Sequence, residues 1–184
     1  MVDGEAKIAG TMVVQHRQVM EERYGKPVVA RAIAALDEAL RAELGRALPG
    51  AWVRLEVLQG LYGEVSRETG SSVEELHTAV TRESTARTVR TVWRMLLRMS
   101  TDDALVGRTP EMYKKAFSRG EVTSRLTGSH QSENVLSGWP DVPDFVLRQV
   151  RVATAEVLRL AGRSEITVQV ERRPDGAVYT TSWR

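Results

Sequence analysis

The sequence contains no cysteine, few aromatic residues and no long apolar run. None of the 184 residues is cysteine and only 5% are aromatic. The absence of cysteine excludes disulfides, thiolate nucleophiles and cysteine-ligated zinc or iron–sulfur sites. No segment approaches the ~18 unbroken apolar residues of a membrane-spanning helix, and the first residues lack the basic and apolar regions of a signal peptide. We therefore expect a cytoplasmic protein without a metal site.

Sequence signatures of enzymes and of nucleic-acid-binding proteins are also missing. There is no phosphate-binding glycine loop, no G-x-S-x-G elbow and no H-E-x-x-H motif. The net charge is only +2, and no aromatic residues alternate with basic ones to stack on bases. The sequence therefore predicts a non-enzymatic protein that does not bind nucleic acid. A Ser–His–Asp triad stays open, because its members assemble in space rather than in sequence.

The composition is that of a globular protein with a substantial core. Hydrophobic residues make up 42% of the chain and charged residues 27%. The length is typical of one domain, and a chain of this size buries enough surface to fold without disulfides or metals. The pattern changes once, near Gly120. We therefore predict a single domain over residues 1–184, with a helical part at 1–119 and a β-rich part at 120–184.

The part before Gly120 has apolar residues at steps of three and four, which is typical of amphipathic helices. Ser72 and Glu75 have the spacing of a capping box that opens one of them. A short strand at 11–14 is the alternative for the first segment. Helices are predicted at 11–24, 27–48, 52–70, from 72 onward, at 84–99, and from Thr109.

The part after Gly120 contains segments that favour strands. Strands are predicted at 121–127 and 133–138 around a turn, followed by a helix at 141–160. Alternating apolar residues at 166–170 indicate a third strand, and Pro174-Asp175-Gly176 turns the chain into a fourth at 177–183. The predicted fold class is therefore α+β, in which an N-terminal helical bundle packs with a C-terminal antiparallel sheet of ββαββ order.

Short motifs are distributed over most of the chain: Gly10–Val14, Glu22–Gly25, Arg108–Tyr113, Leu136–Pro140, Leu158–Gly162 and Gly176–Trp183. Together they resemble a family of uncharacterised paralogous proteins from myxobacteria. That family is similar to a superfamily that includes haem-nitric-oxide-binding (H-NOX) domains, vinyl-reductase-type ligand-binding domains and TRAPP vesicle-tethering subunits. The resemblance implies a helical layer on an antiparallel sheet, with an apolar cavity between them in some members.

Those relatives variously bind haem, bind small aromatic or hydrocarbon effectors, or act as dimeric scaffolds. The leading prediction is a regulatory or scaffolding module that forms a homodimer or binds a protein partner. The alternative is a sensor that binds an apolar or aromatic small molecule in a cavity between helices and sheet. The residues that could line such a pocket are Trp52, Tyr62, His77, Trp93, Tyr113, Phe117 and Trp139, which would otherwise be ordinary core residues.

Haem binding is a further, weaker alternative. Only His16, His77 and His130 could supply an axial imidazole. H-NOX domains grip the haem propionates with a Tyr-x-Ser-x-Arg signature, and the nearest string here, at 179–184, has the wrong spacing. On a strand it would place Tyr179 and Ser182 on opposite faces. We therefore expect no cofactor.

Arginines recur at steps of three and four in the second half of the helical part. Arg87, Arg90, Arg94 and Arg98 would form one stripe on a helix. Such a stripe suits an acidic partner or an anion. The other interpretation is a solvated helix face with intrahelical pairs such as Glu83 with Arg87.

Overall fold

The computed structural model describes residues 5–89 and 97–184. The chain divides into two compact units. The first comprises the chain up to Ser84 together with Ala116–Ser118, and the second comprises Thr85–Lys115 and Arg119–Arg184. Each unit has its own buried residues and is described by itself.

The first unit is helical and carries a small antiparallel sheet. Its helices are α1 Gly10–Tyr24, α2 Lys26–Ala35, α3 Glu38–Gly45, α4 Leu55–Thr69 and α5 Val73–Thr88, the last turn of which belongs to the second unit. Its strands are β1 Lys7–Ala9 and β2 Trp52–Arg54. Ile8, Met20, Leu58 and Leu61 are fully buried in its core. Ser72 caps α5 as predicted, because the Glu75 amide donates to Ser72 Oγ over 3.1 Å.

The single helix predicted at 27–48 is wrong, because the chain breaks between α2 and α3. Leu36 has an extended backbone with ψ of 149°. The next residue, Asp37, caps α3 by accepting a hydrogen bond from the Leu40 amide over 2.8 Å. Aspartate is a favoured helix N-cap, since its carboxylate satisfies an amide that the first turn leaves without a partner. The leucines keep the same helical spacing on both sides of the break, so the sequence pattern does not reveal it.

The helix predicted at 52–70 begins three residues late, and the inward position predicted for Trp52 is wrong. Residues 52–54 form β2, in which Val53 lies opposite Ile8 of β1. Successive side chains of a strand point to opposite faces. Val53 is therefore buried, whereas Trp52 is 46% exposed.

The second unit is built on a four-stranded sheet, so the α+β class is confirmed. The strand order is β3-β4-β6-β5, and every neighbouring pair is antiparallel. The strands are β3 Glu121–Gly128, β4 Gln131–Ser137, β5 Thr167–Arg173 and β6 Gly176–Ser182; the helices are α6 Asp102–Gly107, α7 Thr109–Ala116 and α8 Asp144–Leu160. Residues 97–99 are also helical.

Helix α8 is the long helix of the second unit. It begins after Pro143, three residues later than predicted, and ends before Gly162, whose φ of 88° suits a glycine after a helix. Its last turn contributes Leu158 to an apolar cluster with Val106 and Trp183. That cluster places the ends of α8, α6 and β6 beside each other.

Gly10 provides a sharp test of packing in the first unit. A Cβ atom at Gly10 would lie 2.2 Å from the carbonyl oxygen of Leu48 and 3.0 Å from that of Ala51. We expect Gly10→Ala to lower the free energy of unfolding by about 1–3 kcal/mol, because backbone must shift to admit the methyl group. Gly63 in α4 is the matched control, with nothing within 4 Å of its added Cβ. Gly63→Ala should stabilise by about 0.5–1 kcal/mol. Equal urea midpoints for the two variants would contradict this packing.

Candidate functional site

Asp102, in the second unit, accepts four side-chain hydrogen bonds from described residues. Its Oδ1 accepts from Nε and Nη2 of Arg163 over 3.0 and 2.7 Å. Its Oδ2 accepts from Nε1 of Trp183 over 3.2 Å and from Nδ1 of His130 over 3.1 Å. Burial alone would raise the pKa of Asp102, but these donors outweigh it and hold the pKa below its usual value. We call these four residues the Asp102 centre.

Arg163 extends the Asp102 centre into the backbone. It donates to the carbonyl oxygens of Ser100 and Ala161 over 2.9 and 2.7 Å. Its guanidinium therefore connects the start of α6 with the end of α8. The planar fork of five donors makes arginine suited to such a junction.

An open cleft of about 600 Å³ lies beside the Asp102 centre. It is lined by Arg98, Asp102, His130, Ala161, Gly162, Arg163 and Arg184. Three guanidinium groups against one carboxylate suit a small anion such as a carboxylate or phosphate. Of the predicted arginine stripe, Arg98 lines this cleft and Arg87 lies half-buried in the last turn of α5. Arg90 and Arg94 lie outside the described residues.

The charge of Asp102 should contribute to the stability of the second unit. We expect Asp102→Asn to lower the free energy of unfolding at pH 7 by about 2–3 kcal/mol, because hydrogen bonds to a charged group are lost. The exposed neighbour gives the control, Asp103→Asn, which should change it by less than about 0.5 kcal/mol. Since the folded pKa of Asp102 is lowered, the wild type should be more stable than Asp102→Asn at pH values above the unfolded pKa. It should shrink as the pH falls through the folded value. A pH-independent difference in urea unfolding would contradict this role.

The first unit contains a buried cluster of His16 in α1, Tyr62 in α4 and His77 in α5. All three are at most 1% exposed. The Tyr62 hydroxyl and His16 Nδ1 are 2.8 Å apart. The Tyr62 ring meets the rings of His16 and His77 edge-on, with centroids 5.9 and 4.9 Å away. We call this set the His–Tyr–His cluster.

Burial and, second, repulsion by His77 lower the pKa of His16 to about 3. His16 is therefore neutral at physiological pH. Burial also raises the pKa of Tyr62 well above its usual value. His16 and Tyr62 are thus an uncharged hydrogen-bonded pair inside an apolar core.

His16 should make the protein sensitive to mild acid. The unfolded chain binds a proton at His16 below pH ~6.5, whereas the folded chain binds it only near pH 3. The free energy of unfolding should therefore fall with pH across this window, by up to about 1.4 kcal/mol per pH unit. His16→Leu should lower the slope of unfolding free energy against pH by the amount that one proton contributes. Gln18→Leu, at an exposed position of α1, should leave that slope unchanged. Identical slopes for the two variants would show that His16 titrates normally.

A polar patch lies on the buried face of the four-stranded sheet. It consists of Ser124 in β3, Ser132 and Asn134 in β4, and Tyr179 and Thr181 in β6. Ser124 Oγ, Asn134 Oδ1, Tyr179 OH and Thr181 Oγ1 are buried and have no hydrogen-bond partner in the part of the chain described. Each such atom costs about 1–3 kcal/mol. Four together are a large penalty beside a typical net stability of about 5–15 kcal/mol.

The residues predicted to line one pocket are distributed differently. Trp52 is half-exposed, and Trp93 lies outside the described residues. Tyr62, His77 and Phe117 belong to the first unit, whereas Tyr113 and Trp139 belong to the second. Neither unit brings the whole set together, so the pocket stays a prediction.

The Asp102 centre and the polar patch were not predicted from the sequence. Asp102 and Arg163 are 61 residues apart, and no local pattern connects them. The patch had a detectable signal, because Ser132 and Asn134 alternate with outward residues on the face of the apolar Leu136. Such polar residues on the inner face of a strand are uncommon.

Comparison with protein-family models finds no match, and comparison with curated proteins finds none either. Solved structures do match. An Fe(II) unliganded H-NOX protein from K. algicida superimposes with a TM-score of 0.70 at 11% identity, over 96% of both chains. A mutant of T. tengcongensis H-NOX gives 0.62 at 16% identity, over 96% of this chain and 97% of that one. This chain has the H-NOX fold. The resemblance to a myxobacterial family stays a prediction.

The histidines of this H-NOX fold do not match what haem requires, although one matching structure was solved to probe haem distortion. A vacant haem pocket would leave its axial histidine facing open space. His16 and His77 are instead enclosed, at 1% and 0% exposed. His16 Nε2 has no hydrogen-bond partner within the described residues, but it too is buried. His130 is 58% exposed, and the open cleft that it lines carries three arginines and Asp102 where a haem pocket would have apolar walls. The three histidines therefore do not fit an axial haem ligand.

The described ranges, 5–89 and 97–184, also lack two further kinds of feature. No group of histidine, aspartate and glutamate side chains there could hold a metal ion. None of the helices in those ranges has the length and apolar character needed to cross a bilayer.

Proposed function

We propose that this chain is a sensory domain that binds a small molecule other than haem. The observation that carries the proposal is the H-NOX fold over 96% of the chain. H-NOX domains are named for binding a gas through haem, and the histidines here do not fit that cofactor. The chain would thus share a sensing role with H-NOX domains but bind a different ligand.

The fold favours this interpretation over the scaffold that the sequence first suggested. A scaffold requires only a surface, whereas this chain buries unpartnered polar atoms on the inner face of its sheet. Buried polar groups in native proteins are almost always satisfied, so an orphaned group has a specific explanation. Homodimerisation, a protein partner and a cytoplasmic location stay predictions.

We also propose that the domain is non-catalytic. Asp102 and His130 form a pair that could orient a general base. Nucleophilic catalysis would need a hydroxyl or thiol bonded to that imidazole. Among the described residues, His130 forms no side-chain hydrogen bond to a hydroxyl, and Asp102 is also occupied by Arg163 and Trp183. The pair is therefore assigned a structural role.

Haem reconstitution tests the first half of the proposal. Hemin added to the purified chain under reducing conditions should give no protein-bound Soret band, because His16 and His77 are enclosed and His130 lies in an open cleft lined by charged side chains. Free hemin and a haem-loaded H-NOX protein serve as the negative and positive controls. A stoichiometric Soret band that is lost in His16→Leu or His77→Leu would overturn it.

Thermal denaturation tests the second half. A ligand that binds only the folded state, at 100 times its Kd, stabilises by about 2.7 kcal/mol. For a domain of this size we expect a Tm rise of about 5–10 °C. A library of small neutral polar, anionic and aromatic compounds should contain at least one that produces a saturable rise. Flat melting curves across all three classes would contradict the sensor.

A further inference from the structure

The polar patch is continuous across three adjacent strands of the second unit. In the sheet register Ser124 lies opposite Asn134, and Asn134 lies opposite Tyr179. In the next row Ser132 lies opposite Thr181. Adjacent strands are about 4.8 Å apart, so the three-strand row is roughly 10 Å wide. The five side chains therefore form one surface rather than separate polar positions.

The patch is local rather than a property of the whole sheet. Two residues further along β4, Leu136 lies opposite Val122 and Ala177 on the same face. These three residues are buried and apolar. An ordinary core would continue that apolar lining, so the change to hydroxyl and amide groups indicates chemistry that the rest of the face does not share.

The unpartnered atoms define what they would bind. Ser124, Tyr179 and Thr181 each present a hydroxyl that both donates and accepts, whereas Asn134 Oδ1 only accepts. A ligand must therefore bring at least one donor to Asn134. The patch contains no ionised side chain, so a charged ligand would lose its hydration without gaining a counter-charge. The chemistry matches a small neutral molecule with both donors and acceptors.

Strand β3, at one end of the patch, is an edge strand of the sheet. Leu126 of β3, in register with Ser132 on the same face, is 37% exposed. The patch atoms themselves are closed to solvent in the structure. Ligand entry therefore requires local opening of the packing around the patch, as buried binding sites commonly do.

We propose that the polar patch of Ser124, Ser132, Asn134, Tyr179 and Thr181 is the binding surface for a small uncharged molecule that donates and accepts hydrogen bonds. This inference rests on the proposed sensory function and names the chemical class of its ligand. It differs from the apolar or aromatic ligand that the sequence suggested, because the groups without partners are polar.

Acetamide is a suitable probe, since it is neutral and carries both a donor and an acceptor. Titrated into the ¹⁵N-labelled chain, it should shift the amide NMR signals of β4 and β6 saturably. Acetate, which is charged, and acetone, which has no donor, should not. Absence of a saturable acetamide response, or an equal response to acetate, would overturn the assignment.

Thr181→Val and Thr180→Val form a matched pair of variants. Thr181 faces the patch and is 0% exposed, whereas Thr180 is exposed on the opposite face. Thr181→Val should weaken acetamide binding at least fivefold and raise the Tm of the free protein, because it removes an unpartnered hydroxyl while keeping the side-chain shape. Thr180→Val should change neither. Equal behaviour of the two variants would overturn the proposal.

Three results separate the sources of failure. If a compound from the thermal-shift library binds Thr181→Val with unchanged affinity, the patch assignment is wrong but the sensory function stands. If Thr181→Val lowers the Tm and a high-resolution crystal structure shows only ordered water on the patch, the patch is hydrated structure and the proposal fails. If no compound binds the wild-type chain at all, both fail.

Discussion

The ion pair between Asp102 and Arg163 is the constraint on which the second unit depends. Both carboxylate oxygens and four guanidinium or ring N–H groups meet there, and the same arginine holds the carbonyl oxygens of Ser100 and Ala161. The pair is partly enclosed, so its hydrogen bonds are screened less than those of a surface pair. It fixes where α6 begins and where α8 ends. The apolar cluster of Val106, Leu158 and Trp183 adjoins it, because Trp183 also donates a hydrogen bond to Asp102.

The first unit has no such ion pair described at its centre; it contains instead the buried, neutral His16 and the rings packed against it. His16, Tyr62 and His77 join three helices through ring contacts and one short hydrogen bond. An imidazole can occupy an apolar core only while it is neutral, because burial disfavours its charged form. The same enclosure that keeps His16 neutral also removes the open space that an axial ligand would need. Core packing and the lack of space for an axial ligand at His16 therefore have one cause.

The fold class could be predicted from the sequence, because alternation and helical periodicity are local signals. The α+β class and the helix cap at Ser72 followed from such patterns. The break at Leu36 could not, since the leucine spacing is the same on both sides of it. Trp52 was misplaced because a three-residue strand is too short to show a period. The candidate sites depend on contacts between distant segments, such as Asp102 with Arg163, and a single sequence does not encode those pairings visibly.

The two polar centres titrate in different ranges of pH. His16 takes up a proton on unfolding from just below neutrality, whereas Asp102 loses its hydrogen-bonding charge only at much lower pH. Gradual acidification therefore weakens the helical unit well before the sheet-containing unit. Near pH ~5, between the ordinary pKa values of histidine and aspartate, burial of His16 should already lower the free energy of unfolding, whereas Asp102 still accepts its hydrogen bonds as a carboxylate. Any cellular exposure to mild acid would act first on the half of the molecule that holds the buried histidines.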